Sequence, residues 1–295
     1  MTRSDRYVRL GAKLYAAGMK ADAKRAGLRT AYADVDGLRM AYHRGGVPGA
    51  PVIVMVHGYS ADRQLWSRFA RRFVDRYDVV IPDLAGHGDT PFVAGADYSA
   101  PGQAARVAGL LDSLGIEKAH LIGNSMGGFV VATFARAYPD RTLSACLSDA
   151  AGVRAPIPSD AEVMLAQGTN PFLFRDPLRF YPFFAMTMAK PPYAPKIVKA
   201  AMAQQYVDRE PQLAEIFAGF HERDLLDDHL AEITAPTLVM WGDRDRLVAP
   251  SAAGVWAAGI PNATSVTYPG VGHMPMVEIP GRAAADYAAF LRRVG

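Results

Sequence analysis

From about residue 50 onward the chain alternates short, solidly apolar runs with longer amphipathic ones. The apolar runs at 52–56, 79–82, 119–123, 143–148, 237–241 and 265–268 read as strands, because unbroken hydrophobicity over so short a length fits a strand buried on both faces. Helical periodicity falls near 62–74, 102–114, 126–137, 250–258 and 280–293. Strands that alternate with helices predict an α/β fold with a mostly parallel central sheet and helices on both faces. Upstream, residues 31–35 and 38–43 flank Asp36-Gly37, the signal for a hairpin closed by a two-residue primed turn.

Two segments depart from this rhythm. Residues 7–25 read as a helix in which Arg9, Lys13, Lys20 and Lys24 fall on one narrow stripe at about 100° per residue. Tyr7, Val8, Leu10, Leu14, Tyr15 and Met19 spread over the other side. Such a basic amphipathic helix suits contact with an anionic membrane surface, and it equally suits packing on its own domain or a second subunit. Between 152 and 232 the alternation stops, and Asn170-Pro171-Phe172, Tyr181-Pro182-Phe183-Phe184 and Pro191-Pro192-Tyr193 appear. That stretch is too long and too aromatic for a plain connection, so a mainly helical cap is expected. The expected organisation is an N-terminal amphipathic helix over 1–28, a core over 29–151 and 233–295, and a cap over 152–232.

Composition narrows the class. Half of the 295 residues are hydrophobic, ample for a large core. No apolar run reaches the roughly 18 residues of a membrane span. The first residues show no apolar segment with a small-residue cleavage site, and the single cysteine, Cys146, sits in an apolar run as an inert buried thiol. A cytoplasmic protein is expected, with the inner membrane surface as the second expectation through the N-terminal helix. The net charge of +3 is uneven, since the first 30 residues carry eight basic groups against Asp5 and Asp22. The remainder is slightly acidic, which argues against a nucleic-acid surface. No P-loop, full dinucleotide pattern or metal motif occurs, so neither cofactor nor metal is expected.

The chemistry centres on Gly123-Asn124-Ser125-Met126-Gly127, at the end of one apolar run and the start of a helix. Strand, sharp turn and helix make this pattern a nucleophile elbow, in which the turn holds the serine hydroxyl above the sheet edge. A Cβ at either flanking glycine would collide with a neighbouring element. A serine hydroxyl needs a base within reach, and elbow hydrolases supply acid and histidine from loops after later strands. His273, after the last strand, fits the base. Asp245, after the strand at 237–241, fits the acid, with Asp243 and Asp149 as the other candidates. His57 and His87 lie beside glycines near the same rim and read as turn-shaping residues. The developing oxyanion needs backbone donors, for which the N–H groups of Met126 and Tyr59 are expected.

His57-Gly58, Asp83-Leu84-Ala85-Gly86-His87-Gly88-Asp89-Thr90, the Ser125 elbow, Trp241-Gly242 followed by Asp245 and Pro250, and Gly272-His273 with Glu278 and Pro280 occur in order. With these motifs the chain resembles the α/β-hydrolase superfamily from about residue 35 to its end. The resemblance implies the α/β-hydrolase fold and makes Asp245, three residues after the glycine, the acid. Gly168-Thr169-Asn170-Pro171-Phe172 and Lys190-Pro191-Pro192-Tyr193, with the Asn-Ser-Met-Gly-Gly elbow, resemble bacterial lipases and monoacylglycerol lipases. C–C bond hydrolases of meta-cleavage products share the elbow. They usually carry a glycine-rich stretch after His-Gly and a tryptophan after the final histidine, where this chain has Tyr59-Ser60-Ala61-Asp62 and Met274. Dehalogenases and epoxide hydrolases of this fold use an aspartate where Ser125 stands.

The expected activity is hydrolysis of carboxylic esters with apolar acyl chains, a small ester or monoacylglycerol being the partner. The C–C hydrolase and a non-catalytic ligand-binding scaffold are the alternatives. The cap's Phe172, Phe174, Phe180, Tyr181, Phe183, Phe184, Met186 and Met188 supply apolar area, about half of it expected to face substrate.

Overall fold

The computed structural model describes residues 2–295; Met1, which opens the expected 1–28 segment, lies outside them. Among the described residues the chain starts with α1 (Arg3–Arg25). Thr2 caps it: its hydroxyl accepts the Asp5 N–H while the Asp5 carboxylate accepts the Thr2 N–H, so two otherwise orphaned donors are satisfied. Strands β1 (Arg29–Val35), β2 (Leu38–Gly46), β3 (Val52–Val56), β4 (Asp78–Pro82), β5 (Ala119–Asn124), β6 (Thr142–Ser148), β7 (Thr237–Gly242) and β8 (Ala263–Tyr268) form one sheet in the order β1-β2-β4-β3-β5-β6-β7-β8. The pairs β1/β2 and β2/β4 are antiparallel and the rest are parallel. Asp36 and Gly37 both have positive φ, 49° and 78°, as a primed hairpin turn requires.

Helices α2 (Ser67–Ala70), α3 (Ala100–Ser113), α4 (Met126–Ala137), α5 (Asp160–Ala166), α6 (Phe180–Thr187), α7 (Lys196–Asp208), α8 (Glu210–Phe220), α9 (Ala252–Gly259), α10 (Pro275–Glu278) and α11 (Pro280–Val294) complete the order. Side chains alternate across each strand, so β3 sends Val54 and Val56 to one face and Ile53 and Met55 to the other. The first face packs against Leu110, Leu111, Phe129 and Phe134 of α3 and α4. The second packs against Phe69 and Phe73 and against Tyr287 and Phe290 of α11. Both faces are therefore covered, which is why the strands read as unbroken apolar runs.

The expected helix over 62–74 is shorter. A 3₁₀ turn over Arg63–Trp66 leads into the single helical turn of α2, and residues 71–76 are turns. Arg63 explains the tight start. Its backbone N–H donates to Asp83 Oδ1 at 2.7 Å and its guanidinium pairs with Asp83 and Asp89, so tertiary contacts override local propensity.

Helices α5 to α8 lie between β6 and β7, where the alternation breaks. Phe174, Phe180, Phe183, Met186, Tyr206 and Leu213 form a cluster of their own, joined by Leu247 from the loop after β7. The N-terminal helix α1 rests on α7: a Cβ on Gly11 would stand 2.1 Å from the Ile197 carbonyl oxygen. No helix among the described residues is long and apolar enough to cross a membrane.

Candidate active site

Ser125 sits between β5 and α4 with φ 58° and ψ −124°, a strained conformation for a residue with a side chain. Surrounding hydrogen bonds hold it there. The Ser125 N–H donates to the Ser148 carbonyl at 3.1 Å, and the Ser125 carbonyl accepts from Phe129 and Ala151. The flanking glycines allow the turn. A Cβ on Gly123 would lie 2.1 Å from the Gly127 carbonyl oxygen, and one on Gly127 2.4 Å from those of Val56 and His57.

His273 follows β8 and Asp245 follows β7, at the carboxyl ends of neighbouring parallel strands. His273 Nδ1 and Asp245 Oδ2 are 2.7 Å apart, and both side chains are buried. A carboxylate only accepts, so Nδ1 carries the proton and Nε2 keeps its lone pair. The other oxygen of Asp245 accepts the N–H groups of Leu247 at 2.8 Å and Val248 at 3.1 Å, which orients the carboxylate. Close backbone contact joins the two loops, for a Cβ on Gly242 would meet the Gly272 carbonyl oxygen at 2.1 Å.

The other candidate acids have different tasks. Asp243 is partly exposed and accepts the Gly270 N–H at 2.7 Å, bracing the histidine loop from outside. Asp149 is fully buried; its Oδ1 accepts the Gly242 N–H at 2.9 Å and its Oδ2 accepts the Ser148 hydroxyl at 3.1 Å. Burial pushes the Asp149 carboxyl well above the usual carboxylate range, and the neighbouring charge of Asp245 pushes the same way. Donor atoms of Asp149, Asp245 and His273 all lie within 4.8 Å of one another. Every carboxylate oxygen there already accepts a hydrogen bond and Nδ1 carries a proton, so the trio is a hydrogen-bonded network rather than a set of metal ligands.

The segments that carry the expected oxyanion donors both adjoin Ser125. Met126 is the first residue of α4, so its N–H is one of the free donors at a helix start. Tyr59 follows Gly58, whose missing Cβ would stand 3.0 Å from Ser125 Cβ, so this loop abuts the serine. Tyr59 also reaches the cap, donating its hydroxyl to the Leu213 carbonyl at 2.8 Å. Its ring meets Phe172, Phe217 and Phe220 with centroids 6.1, 5.6 and 5.6 Å away.

His57 supports that loop. Its Nδ1–H donates to the Gly58 carbonyl at 2.8 Å and its Nε2 accepts the Leu84 N–H at 3.0 Å. Both nitrogens are thus committed in the neutral form, and burial lowers the pKa to about 4. His87 is likewise buried and neutral, with Nδ1 against the Ala85 carbonyl. Of the cap residues, Phe174, Phe180, Phe183, Met186 and Met188 are buried, Phe172 and Phe184 partly so, and Tyr181 is exposed.

Two site features escaped sequence reasoning. Asn124 donates its side-chain amide to the carbonyls of Ser148 at 3.2 Å and His273 at 3.0 Å. Glu278 accepts the Gly272 N–H and the Lys190 N–H, both at 2.8 Å, tying the histidine loop to the cap. Both residues stand inside recognised motifs, which marks them without stating their partners.

Comparison with known proteins places this geometry in a family. Lipase 1 of Psychrobacter immobilis is 35% identical over 262 residues, covering 86% of this chain and 81% of that protein. Monoacylglycerol lipase abhd6-B of Xenopus laevis is 26% identical over 284 residues, covering 90% and 82%. The crystal structure of a membrane phospholipase A, described as a bacterial virulence factor, superposes with a TM-score of 0.93 at 36% identity, covering 97% of this chain and 92% of that one. The family model for the alpha/beta hydrolase fold matches residues 51–280, and with these relatives it shows that the chain belongs to the α/β-hydrolase family.

Proposed function

We propose that the protein is a serine hydrolase that cleaves carboxylic esters with apolar acyl chains, of lipase or monoacylglycerol-lipase type. The observation that carries this reading is the 2.7 Å His273–Asp245 hydrogen bond beside an elbow that holds Ser125 at φ 58°. It leaves His273 Nε2 as the acceptor for the Ser125 proton.

Ser125 Oγ attacks the ester carbonyl carbon as its proton passes to Nε2. The carbonyl π electrons move onto oxygen, where the N–H groups of Met126 and Tyr59 receive the charge. When the oxyanion collapses, the C–O bond to the alcohol breaks and Nε2 returns the proton to the leaving oxygen. Water then attacks the acyl-enzyme with His273 again as base, releasing the carboxylic acid and restoring Ser125. Asp245 fixes the imidazole tautomer throughout.

Aromatic rings gathered beside the Tyr59 loop support the acyl preference, since each buried methylene gains about 0.8 kcal/mol. The division into an N-terminal helix (1–28), a core (29–151 and 233–295) and a cap (152–232) belongs to the same reading. So does peripheral contact with an anionic membrane surface through α1, on which Tyr7, Leu10 and Leu14 stay about half exposed beside exposed lysines.

The test is initial rates on monoacylglycerols and p-nitrophenyl esters from acetate to palmitate, with Ser125→Ala as control. A preference for medium or long chains, abolished in the variant, supports the reading. Activity confined to acetate and butyrate refutes the acyl preference. Inactivity on every ester, with turnover of a vinylogous ketone, would assign the site to C–C bond hydrolysis.

A further inference from the structure

A cavity of about 730 Å³ opens on the surface between the end of α1, α2 with the turn after it, and the start of α11. Asp22, Arg25, Arg68, Arg71, Arg72 and Pro280 line it, and none of them belongs to the Ser125 site. Four guanidinium groups thus face one carboxylate.

The sequence builds this wall by helical spacing. Phe69, Ala70 and Phe73 are buried in the core, which turns Arg68, Arg71 and Arg72 together toward solvent at spacings of three and four. Asp22 orders two of the arginines: Oδ1 meets Arg25 Nη1 at 3.3 Å and Oδ2 meets Arg68 Nε at 2.7 Å. Arg71 and Arg72 have no ion pair among the described residues. Like charges at this spacing repel one another, and Asp22 offsets that repulsion only for Arg25 and Arg68. Arg72 reaches the start of α11, its Nη2 3.6 Å from where a Cβ on Gly281 would stand. The start of α11 has no side-chain cap, so its partial positive charge adds to the same basin.

We propose that this basin is a binding site for a phosphate group. Planar guanidinium forks match phosphate oxygens two at a time, and Arg71 and Arg72 are the pair left to engage them. The phosphate has two sources, a phospholipid headgroup at a membrane surface or a soluble phosphate ester. On the α1 wheel, Arg25 falls on the flank that carries Tyr7 and Leu14, within about 20° of Leu14, so an apolar stripe runs toward the basin. The site does not depend on membrane contact by α1, because soluble phosphate probes it without a vesicle.

The experiment uses the full chain and an Arg71→Gln/Arg72→Gln double variant, with unchanged circular dichroism and p-nitrophenyl butyrate hydrolysis as folding controls. Co-sedimentation is measured with phosphatidylcholine vesicles and with phosphatidylcholine–phosphatidylglycerol vesicles. Thermal shift is measured with inorganic phosphate and glycerol 3-phosphate. Selective binding to the anionic vesicles, weakened about thirtyfold in the double variant, identifies the headgroup as the source. A melting shift with glycerol 3-phosphate that the variant loses identifies a soluble phosphate. Equal behaviour of wild type and variant in both arms overturns the site, even if α1 still holds the protein on vesicles.

Discussion

The side-chain amide of Asn124 donates to the backbone carbonyl of His273 at 3.0 Å, joining the residue before the nucleophile to the backbone of the base. The same amide holds the Ser148 carbonyl, so one buried side chain sets the spacing of three loops. Asn124→Ala leaves both carbonyls without this donor. Losing a buried hydrogen bond costs about 1–3 kcal/mol, so kcat/KM on a p-nitrophenyl ester should fall roughly ten- to hundredfold. Asn124→Asp should be worse at neutral pH, because a carboxylate would face two carbonyl oxygens. Equal or better activity in the Asp variant would refute this role.

Asp149 and Asp245 are two buried acids with opposite tasks. Burial first, and the Asp245 charge second, raise the pKa of Asp149 in the folded state. The unfolded chain gives the Asp149 proton up above about pH 3.9. The folded state therefore binds more protons above that pH, and this group's contribution to stability declines as pH rises. Asp149→Asn removes the titration and still offers an oxygen to the Gly242 N–H. Its melting temperature should gain on wild type as pH rises above about 3.9, with kcat/KM little changed. Asp245→Asn, in contrast, should lower kcat by about 10⁴ through the wrong histidine tautomer. A melting gap for Asp149→Asn that narrows with pH would show an ionised Asp149.

Glu278 bonds both the histidine loop and the segment at Lys190. Gly272, its partner, is pressed by that segment, since a Cβ there would stand 2.6 Å from the Ala189 nitrogen. Glu278→Ala should lower stability by roughly 2–3 kcal/mol, as for two hydrogen bonds to a charged group. Limited proteolysis should then cut near Pro191–Pro195 sooner than in wild type. Unchanged cleavage would mean that the apolar contacts of the cap hold it without this tie.

The elbow glycines admit no compromise. At Gly127 the obstacles to a Cβ are backbone carbonyl oxygens of β3 and its loop, which cannot swing aside as a side chain can. Gly127→Ala should yield little folded protein, while Gly254→Ala, with open space around it on α9, should be silent or slightly stabilising. Both outcomes are read by soluble yield and circular dichroism.

Much of this was legible in the residues, for identifiable reasons. The central strands are buried on both faces and have no alternation to blur them, and the exposed β1 is announced by the Asp36-Gly37 turn that joins it to β2. Ser125, Asp245 and His273 could be put forward as candidates because motif and chain order constrain them, and the last two lie 2.7 Å apart. The hydrogen bonds of Asn124 and Glu278 span 149 and 88 residues, and no local pattern encodes such partners. The expected helix over 62–74 failed for the same reason, since Arg63 answers to Asp83 rather than to its own turn. The raised pKa of Asp149 depends on burial that only the assembled fold creates.

At Gly11, α1 and α7 touch backbone to backbone, without a side chain to cushion them. Two elements in such contact cannot be displaced independently: a load on one is transmitted to the other as by a lever on its fulcrum. Helix α7 also carries Tyr206, which stacks on Phe174 at 4.8 Å inside the cap. Whatever tugs on α1 therefore pulls on the aromatic cluster that Tyr206 and Phe174 share.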